Sequence, residues 1–85
     1  MIHTIPAVVA GVITTSTITI ERIQWTGNIA NGQTAIVLDN QGRIIFQGNA
    51  SKVNDLVEQY YKSPTPFYGI NVTQLDSGTL LFYYR

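Results

Sequence analysis

The chain predicts a mainly β domain: an antiparallel β-sandwich or open barrel of roughly five to seven strands, with one short α-helix at about Ser51–Lys62. Three observations predict it. β-Branched and aromatic residues come in runs of strand length, Gly, Asn and Asp punctuate those runs, and only around residues 51–62 does the apolar spacing change to that of a helix.

Residues 1–13 read as an extended N-terminal arm ahead of a single β domain over residues 14–85. Pro6 and Gly11 stand among small β-branched residues, which favours an arm or an edge strand over a helix. Thr14-Thr-Ser-Thr-Ile-Thr-Ile20 is a strand by its branching at Cβ. Ile18 and Ile20 share one face, yet Ile23 and Trp25 follow on the opposite parity. A β-bulge or bend at Glu21-Arg22 would return all four to a common apolar side, because one extra residue shifts the phase by one.

Gly27 to Gly32 is a loop rich in residues that accept positive φ. A hairpin follows, Thr34–Leu38 and Arg43–Phe46 about the turn Asp39-Asn-Gln-Gly42, in which Asp supplies local hydrogen bonds and Gly42 the left-handed conformation. Val53, Leu56, Val57, Tyr60 and Tyr61 then fall at helical spacing. Ser51 or Asn49 caps the helix, Asp55 and Lys62 match its dipole, and Ser63-Pro-Thr-Pro66 ends it. About three turns cannot stand alone, so Val53, Leu56, Val57 and Tyr60 are expected to pack on Trp25, Phe46 and Phe82, and Leu56→Ala to cost about 2 to 5 kcal/mol. The last third reads as a second hairpin, Phe67–Leu75 and Thr79–Tyr84 about the turn Asp76-Ser-Gly78.

Charged residues are 12% of the chain, about half the usual share. Sparse charge on a small domain leaves apolar surface for a partner or for copies of itself. Five scattered basic residues against five acidic ones leave no electrostatic footprint for nucleic acid. Ala7 to Ile13 is too short and too lightly flanked for a membrane span or signal peptide. With no cysteine, disulfides and thiolate metal sites are excluded.

The residues of catalysis do not assemble along the chain. His3 is the sole histidine and has no neighbouring ligand or orienter. Asp39 and Asp76 stand where β-turns want Asp for local bonding. Glu21 and Arg22, adjacent on a strand, point to opposite faces and read as solvated side chains at a bend. No serine stands in a nucleophile elbow and no phosphate loop is present. The expectation is therefore a protein without catalytic residues, metal or cofactor. Among the aromatics, Tyr68 and Tyr83 have the best prospect of being exposed, as a ligand-stacking platform or a subunit contact.

The order of elements from Thr14 to Tyr84 carries a resemblance. A Thr/Ile-rich strand ending in Ile23-Gln-Trp25, the Gly27 to Gly32 link, Leu38-Asp-Asn-Gln-Gly42 and the terminal Leu75-Asp-Ser-Gly-Thr-Leu80 together resemble small virion proteins of tailed bacteriophages, in particular capsid decoration, or cement, proteins. The resemblance implies a non-enzymatic virion protein made in the host cytoplasm and located on the capsid surface. It would be a homotrimer bound to the major capsid protein, with no nucleic acid or membrane as partner. The expected contacts are Ile2, Ile5, Val8 and Val9 of the arm, Asn28 and Ile29 of the loop, and the aromatics Tyr68 and Tyr83. A tail or neck component, or a soluble host-directed binding module, are the alternatives.

Overall fold

The structure, a computed structural model, describes residues 3–85 and, within them, all side chains but those of residues 62–65. Six antiparallel strands form one continuous sheet: β1 His3–Ala7, β2 Gly11–Thr26, β3 Thr34–Leu38, β4 Ile44–Asn49, β5 Val57–Leu75 and β6 Thr79–Tyr84, in the order β1-β6-β2-β5-β3-β4. The mainly β expectation holds. The two separate layers of a sandwich do not form, because β2 and β5 run through the whole sheet.

Those two strands pair from Trp25 opposite Val57 to Gly11 opposite Val72. β6 and β1 extend the ribbon beside Ile20–Thr26 of β2, and β3 and β4 extend it beside the last residues of β5. Nineteen residues of flat strand would reach about 60 Å, yet the longest dimension of the molecule is 32 Å. The ribbon is therefore coiled, and its two flanks close on a common core as a half-barrel. Ile20, Ile23, Trp25, Leu80 and Phe82 fill the core from one flank, and Val37, Phe46, Ile70 and Val72 from the other. The Tyr61 hydroxyl of β5 donates to the Ile45 carbonyl of β4 across the closure.

The bulge is where residue parity places it. The register of β2 shifts between Ile20 and Arg22 against both β5 and β6, and Ile18, Ile20, Ile23 and Trp25 are all buried. The Asp39 turn also forms as expected: the Gly42 amide donates to the Asp39 carbonyl at 3.0 Å, and the Gln41 and Arg43 amides donate to Asp39 Oδ1. Burial would push the Asp39 carboxyl up, but the Arg43 side chain and these amides outweigh it and hold it below its ordinary range.

The helix expected over Ser51–Lys62 is absent. Residues 51–54 form a turn, and β5 begins at Val57. Val57 and Tyr61 fit a strand as well as a helix, since they share parity and both pack against the core. Val53, Leu56 and Tyr60, which only a helix would bury, are 57%, 52% and 63% exposed. A three-turn helix has little stability of its own, whereas Val57–Tyr60 as strand satisfies the backbone groups of Arg22–Trp25 on β2. Asp55 accepts bonds from the Ser51 amide and hydroxyl within the turn, and Asn49 ends β4 with its side chain bonded to Thr34. Leu56→Ala is accordingly expected to cost about 1 kcal/mol or less by chemical denaturation; a loss in the range for a buried leucine would contradict the strand.

The second hairpin is corrected too. Its strands exist, but β5 and β6 do not pair. The Asp76–Gly78 link carries the chain across the end of β2, and β6 adds to the second edge of β2, setting Phe82 opposite Ile23 and Leu80 opposite Trp25. Both edges of β2 are thereby satisfied there, and two large apolar side chains enter the core.

Nor is the N-terminal segment a free arm. His3–Ala7 pairs with β6 from Tyr84 to Leu80, with Ala7 buried and Ile5 packed on the core, while Gly11–Ile13 already belongs to β2. Pro6, lacking a donor, is accommodated because β1 is an edge strand.

Candidate functional site

The outward face of β2, β5 and β6 carries the best-organised polar cluster. Register sets Arg22 opposite Tyr60 on one side and Tyr83 on the other, with Gln24 opposite Glu58. Arg22 Nη1 donates to the Tyr60 hydroxyl at 3.4 Å, and that hydroxyl donates to Glu58 Oε2 at 2.9 Å. Gln24 Nε2 donates to the same oxygen at 2.8 Å and Gln24 Oε1 accepts from the Tyr83 hydroxyl at 2.8 Å. The Arg22 guanidinium lies 4.0 Å from the Tyr83 ring centroid, which closes a ring of five side chains across three strands.

An open depression of about 290 Å³ lies beside this ring, lined by Glu21, Arg22, Tyr60 and Tyr83. Glu21 Oε1 also takes the Arg85 guanidinium at 2.7 Å. The bond to the Tyr60 hydroxyl raises the pKa of Arg22; burial opposes it, and weaker effects of both tyrosines add to the rise. Bonds from Gln24 and Tyr60 lower that of Glu58. Both groups are thus held ionised around neutral pH.

A second cluster occupies the loops at the end of β2. Asn28 is fully buried and clamps the 51–56 turn: its Nδ2 donates to the Asp55 carbonyl at 2.8 Å, its Oδ1 accepts from the Asp55 amide at 3.2 Å, and its carbonyl accepts from the Asn54 amide at 2.8 Å. The clamp ties the loop that carries Ile29 to the turn that carries Val53 and Leu56. Ile29 is 70% exposed.

The expected contact residues do not converge on one surface. Ile2 lies outside the described residues, and Ile5 faces the core. Val8 and Val9 are exposed on the β1–β2 link. Asn28 is corrected from a contact to an internal clamp, because a buried amide with its bonds made inside the molecule has nothing to offer a partner. Tyr68 is half-exposed beside Arg43, and Tyr83 belongs to the five-membered ring.

Sequence reasoning missed Gln24, Glu58 and Tyr60, and treated Glu21 and Arg22 as unrelated. The signal was the bulge itself, since breaking the alternation lets adjacent residues line one depression. His3 stacks on Tyr84 at 5.3 Å. Among the described residues, no three His, Cys, Asp or Glu side chains come together to hold a metal ion. Comparison with family models, curated proteins and solved structures yields no match for this chain.

Proposed function

We propose that the protein is a non-enzymatic docking component of a larger assembly and, following the resemblance, a decoration protein that binds the exterior of a tailed-phage capsid as a homotrimer. The observation that supports docking is the clamped loop tip. Ile29, Val53 and Leu56 are each more than half exposed, on loops whose backbones are fixed to each other through Asn28. Loops whose backbones are already fixed lose little entropy on binding, and exposed aliphatic side chains on them offer apolar surface to a partner. Val8, Val9 and Ile44, also exposed, supply further apolar contacts for copies of the chain.

The mechanism is thermodynamic. A protein that binds only the assembled shell stabilises it by mass action, and trimeric display turns weak single contacts into avidity. The test is co-sedimentation with purified shells stripped of the protein. Ile29→Asp and Leu56→Asp are each expected to weaken shell binding at least about tenfold with little change in the melting temperature of the free protein. Wild-type protein that fails to sediment with shells would reject the capsid role, and undiminished binding by both variants would reject the tip.

A further inference from the structure

The ring on the outer face goes beyond docking, since the depression beside it is lined by residues of β2, β5 and β6 and by none of the clamped loops' apolar residues. We propose that the depression framed by Glu21, Arg22, Tyr60 and Tyr83 binds a neutral pyranose, as one unit of an uncharged glycan. Three features of the site carry this.

The first is charge. Arg22 and Glu21 line the depression, Arg85 pairs with Glu21, and Glu58 stands in the adjoining ring, so two guanidiniums are matched by two carboxylates. An anion entering would meet the carboxylates and a cation the guanidiniums, so an uncharged ligand is disfavoured by neither.

The second is the pairing of an apolar surface with polar groups. Tyr60 is the more exposed of the two tyrosines, at 63%, and the Arg22 guanidinium lies farther from its ring centroid, 5.6 Å, than from that of Tyr83, 4.0 Å. A pyranose presents a face of C–H groups, which stacks on an aromatic ring, and a rim of hydroxyls, each both donor and acceptor. A purely aliphatic ligand would cover the ring and leave the polar rim without partners.

The third is preorganisation with bonding capacity to spare. Among the described residues, the Arg22 guanidinium, with five N–H donors, makes one geometric side-chain hydrogen bond, to Tyr60, and lies against the Tyr83 ring. Among the described residues, both bonds to Glu58 go to Oε2 and none to Oε1. Gln24, Glu58 and Tyr83 are already bonded to one another before a ligand arrives, so binding immobilises little there. The 290 Å³ volume lies at the small end for ligand sites, about 300 to 1,000 Å³, and suits a single sugar ring.

The experiment is an NMR titration of the ¹⁵N-labelled protein with the methyl glycosides of glucose, galactose, mannose and N-acetylglucosamine, with sodium acetate and choline as charged controls. At least one glycoside is expected to bind at millimolar concentration, shifting the Arg22 Nε–H and Gln24 side-chain amide signals. Tyr60→Ala should weaken that binding at least about tenfold, and Tyr60→Phe, which keeps the stacking ring but removes the hydroxyl that Arg22 and Glu58 bond, by an intermediate amount; neither should move the melting temperature appreciably. The proposal is overturned if no glycoside shifts these signals, if the shifts fall elsewhere, if only acetate or choline produces them, or if Tyr60→Ala binds like the wild type.

Discussion

Gly78→Ala is expected to destabilise the protein by about 2 to 6 kcal/mol, as the sum of backbone strain and forced displacement. Gly78 has φ +82°, and a Cβ there would lie 2.3 Å from the Thr26 carbonyl oxygen and 2.9 Å from the Asn28 nitrogen. Every obstructing atom is backbone, so no side chain can swing aside. This is where the β5–β6 link crosses the end of β2, and any added carbon must push the two segments apart. Gly42 supplies the control: its φ is +81° but nothing lies within 4 Å of a Cβ, so Gly42→Ala should cost only the strain, about 1 to 2 kcal/mol. Chemical denaturation of both variants separates the effects. Equal losses would mean that the crossing is looser than described.

Trp25→Ala is expected to cost about 3 to 5 kcal/mol, against a total stability of roughly 4 to 13 kcal/mol for a chain of this length. Trp25 is fully buried, faces Leu80 across β2–β6 and Val57 across β2–β5, and its Nε1 donates to the Ser77 carbonyl at 2.8 Å. The side chain thus joins both neighbours of β2 to the crossing link. Trp25→Phe should lose less, about 1 to 3 kcal/mol, mainly because the Ser77 carbonyl is left without its donor. Melting and denaturant curves check both, and an alanine variant as stable as the phenylalanine one would remove the packing half of the account.

Both positions show how far the chain could be read without its fold. Trp25 is legible as core from parity alone, once the bulge at Glu21-Arg22 is allowed. Gly78 is legible as a turn glycine, but the demand that nothing larger fit arises from Thr26, more than fifty positions away in the chain. The loop tip is a sharper case. Val53 and Leu56 fit a helical stripe, and only the pairing of Val57–Tyr60 with β2 turns them outward and makes them candidates for contact. The outer ring was hidden for the same reason: Gln24 and Glu58 are unremarkable until strand register sets them side by side.

What the sequence by itself determined is therefore local: strand propensity, the Asp39-Asn-Gln-Gly42 turn, the bulge between Ile20 and Arg22, and the inward parity of Ile18 to Trp25. These depend on side-chain branching, turn chemistry and a period of two, all of which act between near neighbours. Only the tertiary structure decided that residues 57–61 are strand, that β6 joins β2 instead of β5, and that His3–Ala7 closes an edge. Each of those choices satisfies backbone hydrogen bonds and buries apolar surface contributed by distant segments. Helix and strand periods overlap at Val57 and Tyr61, so the competition is settled by the open edges of β2, which exist only once the sheet has begun to form.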